Sequence, residues 1–285
     1  MRLKHSLVLN TKNVLLNIFI NKPAFYFSER LYIKYIIVVS MFRLKSYQVF
    51  TTKFDRFKIH QISFKKDKIF FTSGFRISRF LRGFNHAGKR VWNRYFIDDL
   101  LQGVTPRVII DIGCNIGEFT YYAAQKFYNS VYIHSFDPDP VAGQCFKLNI
   151  INSDVKFYPF ALSDKKSIDT LYLAPETADT SFHSISPVKE KILVMTETLD
   201  NLLGRIQLEK PALLKMDAEG NEPEVLLGGL EMLRQISFCS IDCGPERYGE
   251  STRRQVIEIL VGQGFEIEDT LNKDIVLGRR RLKSN

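Results

Sequence analysis

The sequence predicts an α/β fold whose sheet is mostly parallel. An antiparallel strand pair ends it, and a basic, aromatic extension precedes it. Three observations carry this expectation. The stretch Pro106–Thr120, PRVIIDIGCNIGEFT, passes from a β-branched apolar run through a glycine turn into a helical repeat. A second apolar run, PALLKMD, also stops at an acid just before a helix-period segment. Between and after them, short apolar runs alternate with helical ones, as βα units require.

A chain of 285 residues with 45% hydrophobic content suits one large domain, or one domain with an extension. The formal charge of +9 is unevenly spread. Residues 1–100 hold 20 Lys and Arg against 5 Asp and Glu, and the remainder holds 20 against 26. The basic character belongs to the N-terminal third, so nucleic acid is not the expected partner of the main domain. Residues 1–75 read as an extension or small subdomain, and 76–285 as the catalytic domain. LYIKYIIVVSMF, residues 31–42, is too short to span a bilayer and is interrupted by Lys34. Its basic and aromatic surroundings suit peripheral membrane contact. With no signal peptide pattern, the expected location is cytoplasmic, at or near a membrane surface. Cys114, Cys145, Cys239 and Cys243 have no C-x-x-C spacing and the histidines are scattered, so reduced buried thiols and no metal site are expected.

In chain order, residues 54–73 alternate as one or two hairpins would. Ile77–Leu101 reads as helical, with Trp92, Phe96 and Leu100 at four-residue spacing. Val108–Ile110 form a strand closed by Asp111. Gly113, Asn115 and Gly117 make the turn, where glycines permit close backbone approach to a ligand. Phe119, Ala123 and Phe127 then repeat on a helix whose first N–H groups suit an anion. VYIHSF is the next strand. Asp137 follows it, 20 residues beyond Gly117, placed to accept hydrogen bonds from a ribose diol. Asp139 is the competing carboxylate.

A helix through Gln144, Leu148 and Ile151 leads to the strand VKFYPFAL. IDTLYLAP reads as an antiparallel excursion, and ADTSFHSIS as a polar loop carrying Ser181, His183 and Ser184. KILVMTETLDNLL is a strand running into a helix. Ala212–Met216 form a buried strand that stops at Asp217. Asn221 and Glu224 have capping-box spacing, Pro223 suits a first turn, and Leu226, Leu230 and Leu233 line the helix that follows. ISFCSID is a fifth strand. A helix burying Val256, Ile257, Leu260 and Val261 comes next, then the hairpin-like pair FEIEDT and DIVLG. The tail GRRRLKSN is expected to fray.

The turn D-x-G-x-N-x-G places Asn115 where a dinucleotide fingerprint has its second glycine, so NAD is not expected. The turn is similar to the first motif of class I S-adenosylmethionine (SAM) methyltransferases. Together with HSFDPDP, NIINSDVKFYPFALSD, DTSFHSI, TETLD and above all LLKMDAEGNEPEVLLGG, it resembles the FkbM-type methyltransferase family, over Arg76 to Gly278. The resemblance implies a Rossmann-like class I sheet with SAM as cofactor. It implies an O-methyltransferase acting on a sugar hydroxyl of a polysaccharide, glycolipid or natural product. SAM binding falls on Asp111, Gly113, Asn115, Gly117, Asp137 and Asp217, with Phe160 and Ala161 over the adenine. Asp217, Glu219 and His183 are the candidates for taking the acceptor's proton. One rival reading is an RNA or protein methyltransferase with the basic arm as a phosphate clamp. The (Asn/Asp)-Pro-Pro-aromatic run that methylates exocyclic amines is missing after the fourth strand. A second rival, a non-catalytic scaffold, sits poorly with intact Gly113, Gly117, Asp137 and Asp217.

Overall fold

The computed structural model describes residues 48–280, apart from 55–56, 65–66, 74–75, 129, 174–180, 182 and 184–189. LYIKYIIVVSMF, the last five residues and, except for Ser181 and His183, the loop ADTSFHSIS lie outside the described residues. So does the expectation of a membrane-facing helix. Among the described residues no helix is long and apolar enough to cross a membrane.

β1 (Gln48–Phe54), β2 (Phe57–Phe64) and β3 (Asp67–Phe71) form an antiparallel meander. Residues 77–101 are helical but broken into α1 (Ile77–Phe80), α2 (Phe84–Arg94) and α3 (Ile97–Leu101). Gly83 has φ 94° and Phe96 has φ 51°, so the expected stripe through Phe96 ends at the first turn of left-handed backbone. β4 (Val108–Ile112) and α4 (Glu118–Lys126) flank the glycine turn. β5 (Tyr132–Phe136), α5 (Pro140–Asn149) and β6 (Val155–Tyr158) follow. α5 ends before Ile151 and buries Val141, Ala142, Cys145 and Phe146, while Leu148 and Ile151 face solvent. Asp139 caps this helix by accepting from Val141 N and Ala142 N.

Pro159 breaks the strand expected over VKFYPFAL. β7 (Ala161–Leu162), β8 (Ser167–Leu173) and β9 (Glu190–Glu197) then make a separate small sheet, the expected excursion. The chain continues through α6 (Leu199–Leu203), β10 (Ala212–Met216), α7 (Glu222–Leu227) and α8 (Leu230–Leu233). β11 (Phe238–Asp242), α9 (Arg253–Gly262), β12 (Glu266–Glu268) and β13 (Ile275–Arg279) complete it. The helix expected over Leu226–Leu233 is interrupted at Gly228 and Gly229. In α9 Val256 and Leu260 are buried but Val261 is exposed.

The central sheet has the order β12-β13-β11-β10-β4-β5-β6, all parallel except β13, which runs antiparallel to both of its neighbours. From β4 the chain winds outward to β6, then returns to lay β10 on the other side of β4. That reversal opens a crevice at the carboxyl ends of β4 and β10. Side chains of these two strands alternate between two apolar layers. Ile110, Leu214 and Met216 pack with Leu199, Val225 and Leu260. Ile109 and Leu213 pack with Trp92, Phe119 and Ile133 on the opposite face. Burying each such side chain contributes about 1.5–3 kcal/mol.

The compact unit holding this sheet begins at Ser46 and so includes the meander. Asn149 supplies a physical reason. Its Oδ1 accepts from Phe70 N at 2.8 Å, and its Nδ2 donates to Phe70 O at 2.9 Å and Ile116 O at 3.0 Å. One side chain thus ties the meander to the glycine turn.

Candidate active site

The turn after β4 is built by contact between loops. Gly113 has φ 69°, and a Cβ there would lie 1.9 Å from the Asp217 carbonyl oxygen. At Gly117, φ 96°, a Cβ would meet Phe146 and Ile150 at 3.0 Å. Both glycines are required because protein atoms crowd them and their φ is positive. Gly113 lines the cavity, whereas Gly117 does not.

Beneath the turn lies a buried charge pair. Lys215 and Asp111 are register partners across β10 and β4, on the face packed by α2 and α4. Lys215 Nζ is 3.1 Å from Asp111 Oδ1 and donates to Ile112 O at 3.2 Å and Gly113 O at 3.0 Å. Two ammonium donors thus go to carbonyls, and Asp111 Oδ1 is held by charge without a hydrogen bond among the described residues. Burial pulls the Lys215 pKa down, but Asp111 and then Asp217 outweigh it and hold the pKa above the ordinary value. Thr120 donates to Asp111 Oδ2 at 2.6 Å. Asp111 therefore sits under the cavity as a support and does not line it. The Tyr95 ring lies 5.1 Å from Lys215 Nζ, and its hydroxyl donates to Asp217 Oδ2 at 2.7 Å. Burial first, and then Asp217, push the Tyr95 pKa well up, so the phenol stays protonated as a donor.

Asp137 stands at the end of β5. Its Oδ2 accepts from Asn115 N at 2.7 Å and its Oδ1 from Asp139 N at 2.9 Å. Each oxygen keeps a second acceptor position. Burial, and then the charge of Asp139, raise its pKa to about 7. Asn115, φ 50°, is held from behind by Arg76, whose Nη1 donates to Asn115 Oδ1 at 3.2 Å and whose Nη2 pairs with buried Glu118 at 3.3 Å.

These groups surround a cavity of about 640 Å³ at the carboxyl ends of β4, β5 and β10. That is within the ordinary range for a cofactor site, roughly 300–1,000 Å³. Asn115, Asp137, Phe160, Ala161, Asp217 and Glu219 all line it. The donor set fits SAM: paired carboxylate oxygens for a ribose, apolar Phe160 and Ala161 for an adenine, and fixed negative charge at Asp217.

The loop after β10 is stapled from within. Glu222 Oε1 accepts from Ala218 N at 3.1 Å and Gly220 N at 2.9 Å, and its Oε2 accepts from Thr252 at 2.8 Å. The expected capping box is absent. Asn221 instead donates to Leu162 O at 2.9 Å, and Glu224 pairs with Arg247. Glu219, φ 50°, is turned to the cavity by this arrangement. His183 is not among the lining residues. Its Nε2 donates to Gly220 O at 3.2 Å, its ring rests against Tyr248, and burial lowers its pKa. The structure therefore places His183 behind the acid loop and does not join it to Asp217 and Glu219.

The next strand adds groups the sequence did not single out. Asp242, buried at the end of β11, pairs with Arg94 of α2; burial and then Asp217 raise its pKa to about 6. Glu246 lines the cavity, and its Oε2 is buried with no hydrogen-bond partner among the described residues. Burial, with Asp242, Glu222 and Asp217 adding, raises its pKa to about 7.

The methyltransferase FkbM domain matches residues 111–268, more than half of the chain and most of the residues that line this cavity. The chain belongs to the FkbM methyltransferase family. Its cofactor is SAM. A relative, the hexuronic acid methyltransferase AglP of Haloferax volcanii, is 25% identical over 178 residues, covering 61% of this chain and 71% of that protein. Among solved structures, the precorrin-6y C5,15-methyltransferase of Geobacter metallireducens GS-15 is similar at TM-score 0.41 and 10% identity, covering 66% of this chain and 87% of that one. An O-methyltransferase family protein of Burkholderia thailandensis is similar at TM-score 0.42 and 11% identity, with 70% and 59% covered. The sheet order above is the Rossmann-like class I methyltransferase sheet that the sequence predicted.

For an FkbM methyltransferase, Lys215 was the most legible of the missed residues. A single Lys in the buried run ALLKM had to find a partner. Tyr95, Arg94 and Glu246 carry no such local signal.

Proposed function

We propose that this enzyme transfers the SAM methyl group to a hydroxyl of a carbohydrate. The cavity carries the reading: it joins a ribose-accepting carboxylate, Asp137, to a wall of acids from the loops after β10 and β11. The likeness to a hexuronic acid methyltransferase supports the carbohydrate part. When bound, SAM supplies an electrophilic methyl on a positively charged sulfur. Asp137 accepts the ribose hydroxyls, with Gly113 and Asn115 beside it, and Phe160 and Ala161 pack the adenine. Asp217, fixed by Tyr95, sets negative charge against the sulfonium. Asp111 and Lys215 hold the turn in place.

An alcohol is a weak nucleophile at neutral pH, so a base must take its proton as the new bond forms. Glu246 suits that step, since its pKa is near 7 and one oxygen has no partner among the described residues. Glu219 orients the acceptor. The basic N-terminal third draws the enzyme to anionic surfaces, which vesicle sedimentation at low and high salt tests. The main test supplies methyl-labelled SAM with polysaccharide, glycolipid, RNA and protein fractions. The proposal expects alkali-stable label in carbohydrate. Label in RNA or protein alone would reject it.

A further inference from the structure

One wall of the cavity differs in charge from the rest. Arg79 of α1 and Arg90 and Arg94 of α2 line it, and all three are exposed. On α2, Ala87, Arg90, Val91 and Arg94 share one helical face by their spacing, and all four line the cavity. Residues 76–94 hold six Lys and Arg and no Asp or Glu. A solvated helix face ordinarily mixes the signs. Arg94 is paired with Asp242, but among the described residues neither Arg79 nor Arg90 has a carboxylate within ion-pair distance. His86, on the same helix, has its pKa lowered by burial and then by Arg82, Arg90 and Lys89, as a local positive potential requires. Of the acids lining the cavity, Asp217, Glu219 and Glu246 come from the loops after β10 and β11, Asp137 and Asp139 from the end of β5, and Glu118 is paired with Arg76, so none stands beside Arg79 and Arg90 on α1 or α2. The cavity therefore presents negative charge where the methyl is transferred and positive charge at the helical wall.

We propose that Arg79 and Arg90 bind an anionic group of the acceptor, a carboxylate or a phosphate, and so select acidic carbohydrates over neutral ones. Guanidinium groups match both anions through paired N–H donors. The proposal rests on the methyltransferase reading of the same cavity and narrows its acceptor class.

The test uses the full-length protein saturated with S-adenosylhomocysteine. Trigalacturonic acid, mannose 6-phosphate and neutral maltotriose are titrated by saturation-transfer NMR. At least one acidic sugar should bind tenfold or more tightly than maltotriose, and which one does identifies the anion. Arg79→Gln with Arg90→Gln should erase that preference and leave S-adenosylhomocysteine affinity unchanged. Both side chains are exposed, so the double variant should keep its unfolding midpoint. The proposal is overturned if acidic and neutral sugars bind alike, or if no acidic sugar binds. It is equally overturned if the preference survives the double variant, which would place the anion elsewhere. A parallel loss of S-adenosylhomocysteine affinity would assign the arginines to the cofactor's carboxylate. If the wild-type protein fails to bind S-adenosylhomocysteine, the methyltransferase reading itself fails.

Discussion

Asp137 accepts one backbone N–H on each oxygen, and burial sets its pKa near 7. The ionised form is the better acceptor for ribose hydroxyls. Below the folded pKa the carboxyl is mostly neutral, so SAM affinity should rise as pH climbs from 6 to 8. Asp137→Asn should flatten that profile and weaken SAM by about tenfold, or about 1.4 kcal/mol, by calorimetry. An unchanged pH profile in the variant would remove Asp137 from the ribose site. Glu246 makes a different prediction, because it is assigned to the acceptor. Glu246→Gln should cut single-turnover methylation by about 10²–10⁴ while SAM affinity holds. The wild-type rate should rise with pH through about 7, as the carboxylate forms, and that rise should vanish in the variant. If Glu246→Gln stays active, the base moves to Glu219, which Glu219→Gln then tests. Asp217→Asn should lower both binding and rate.

At the level of elements, β4 and β10 are locked by the pair that lies between them. Lys215→Met would leave Asp111 buried without its cation, which typically costs about 3–5 kcal/mol. Adding Asp111→Leu should recover most of that loss in denaturant unfolding, because removing both charges also removes the desolvation penalty. Gly113→Ala should fail for a steric reason: the new Cβ meets the Asp217 carbonyl, so the two catalytic loops must separate. A loss of both SAM affinity and stability is expected, the latter by at least about 1–3 kcal/mol. The strands themselves were legible in the sequence because a strand buried on both faces must be apolar throughout, as VIIDI and ALLKM nearly are. Asp217 was legible for the same reason, since polarity returns where the buried strand ends, whereas Asp111 is itself buried and is tolerated because Lys215 faces it. Helix boundaries were less so. Phe96 keeps the spacing of Trp92 and Leu100, yet its left-handed backbone starts a new helix. Spacing records which residues face alike, not where the chain turns. Glu246 was invisible because its environment is made by Asp217 and Asp242, on loops brought together by the pairing of β10 with β11.

For the molecule as a whole, the question is how much of the N-terminal third the catalytic sheet needs. The compact unit begins at Ser46, and the meander is fastened to α5 through Asn149. Ile59, Ile62, Ile69 and Phe71 are buried, and Phe71 packs on Phe80 at 5.2 Å between ring centres. At about 1.5–3 kcal/mol for each buried side chain, losing the four approaches the whole net stability of a domain, about 5–15 kcal/mol. Thr72 and Ser73, directly after β3, also line the cavity. A chain starting at Ser46 should therefore fold and bind SAM as the full-length protein does. One starting at Arg76 should lose its cooperative unfolding transition, or bind SAM at least tenfold more weakly. Thermal unfolding and calorimetry on the two truncations decide it. If the shorter chain keeps both the transition and the affinity, the meander is an appendage and Asn149 fastens nothing that the site requires. If instead the chain from Ser46 already fails, the first 45 residues belong to the catalytic unit, and their basic charge must be explained within it and not by a membrane surface.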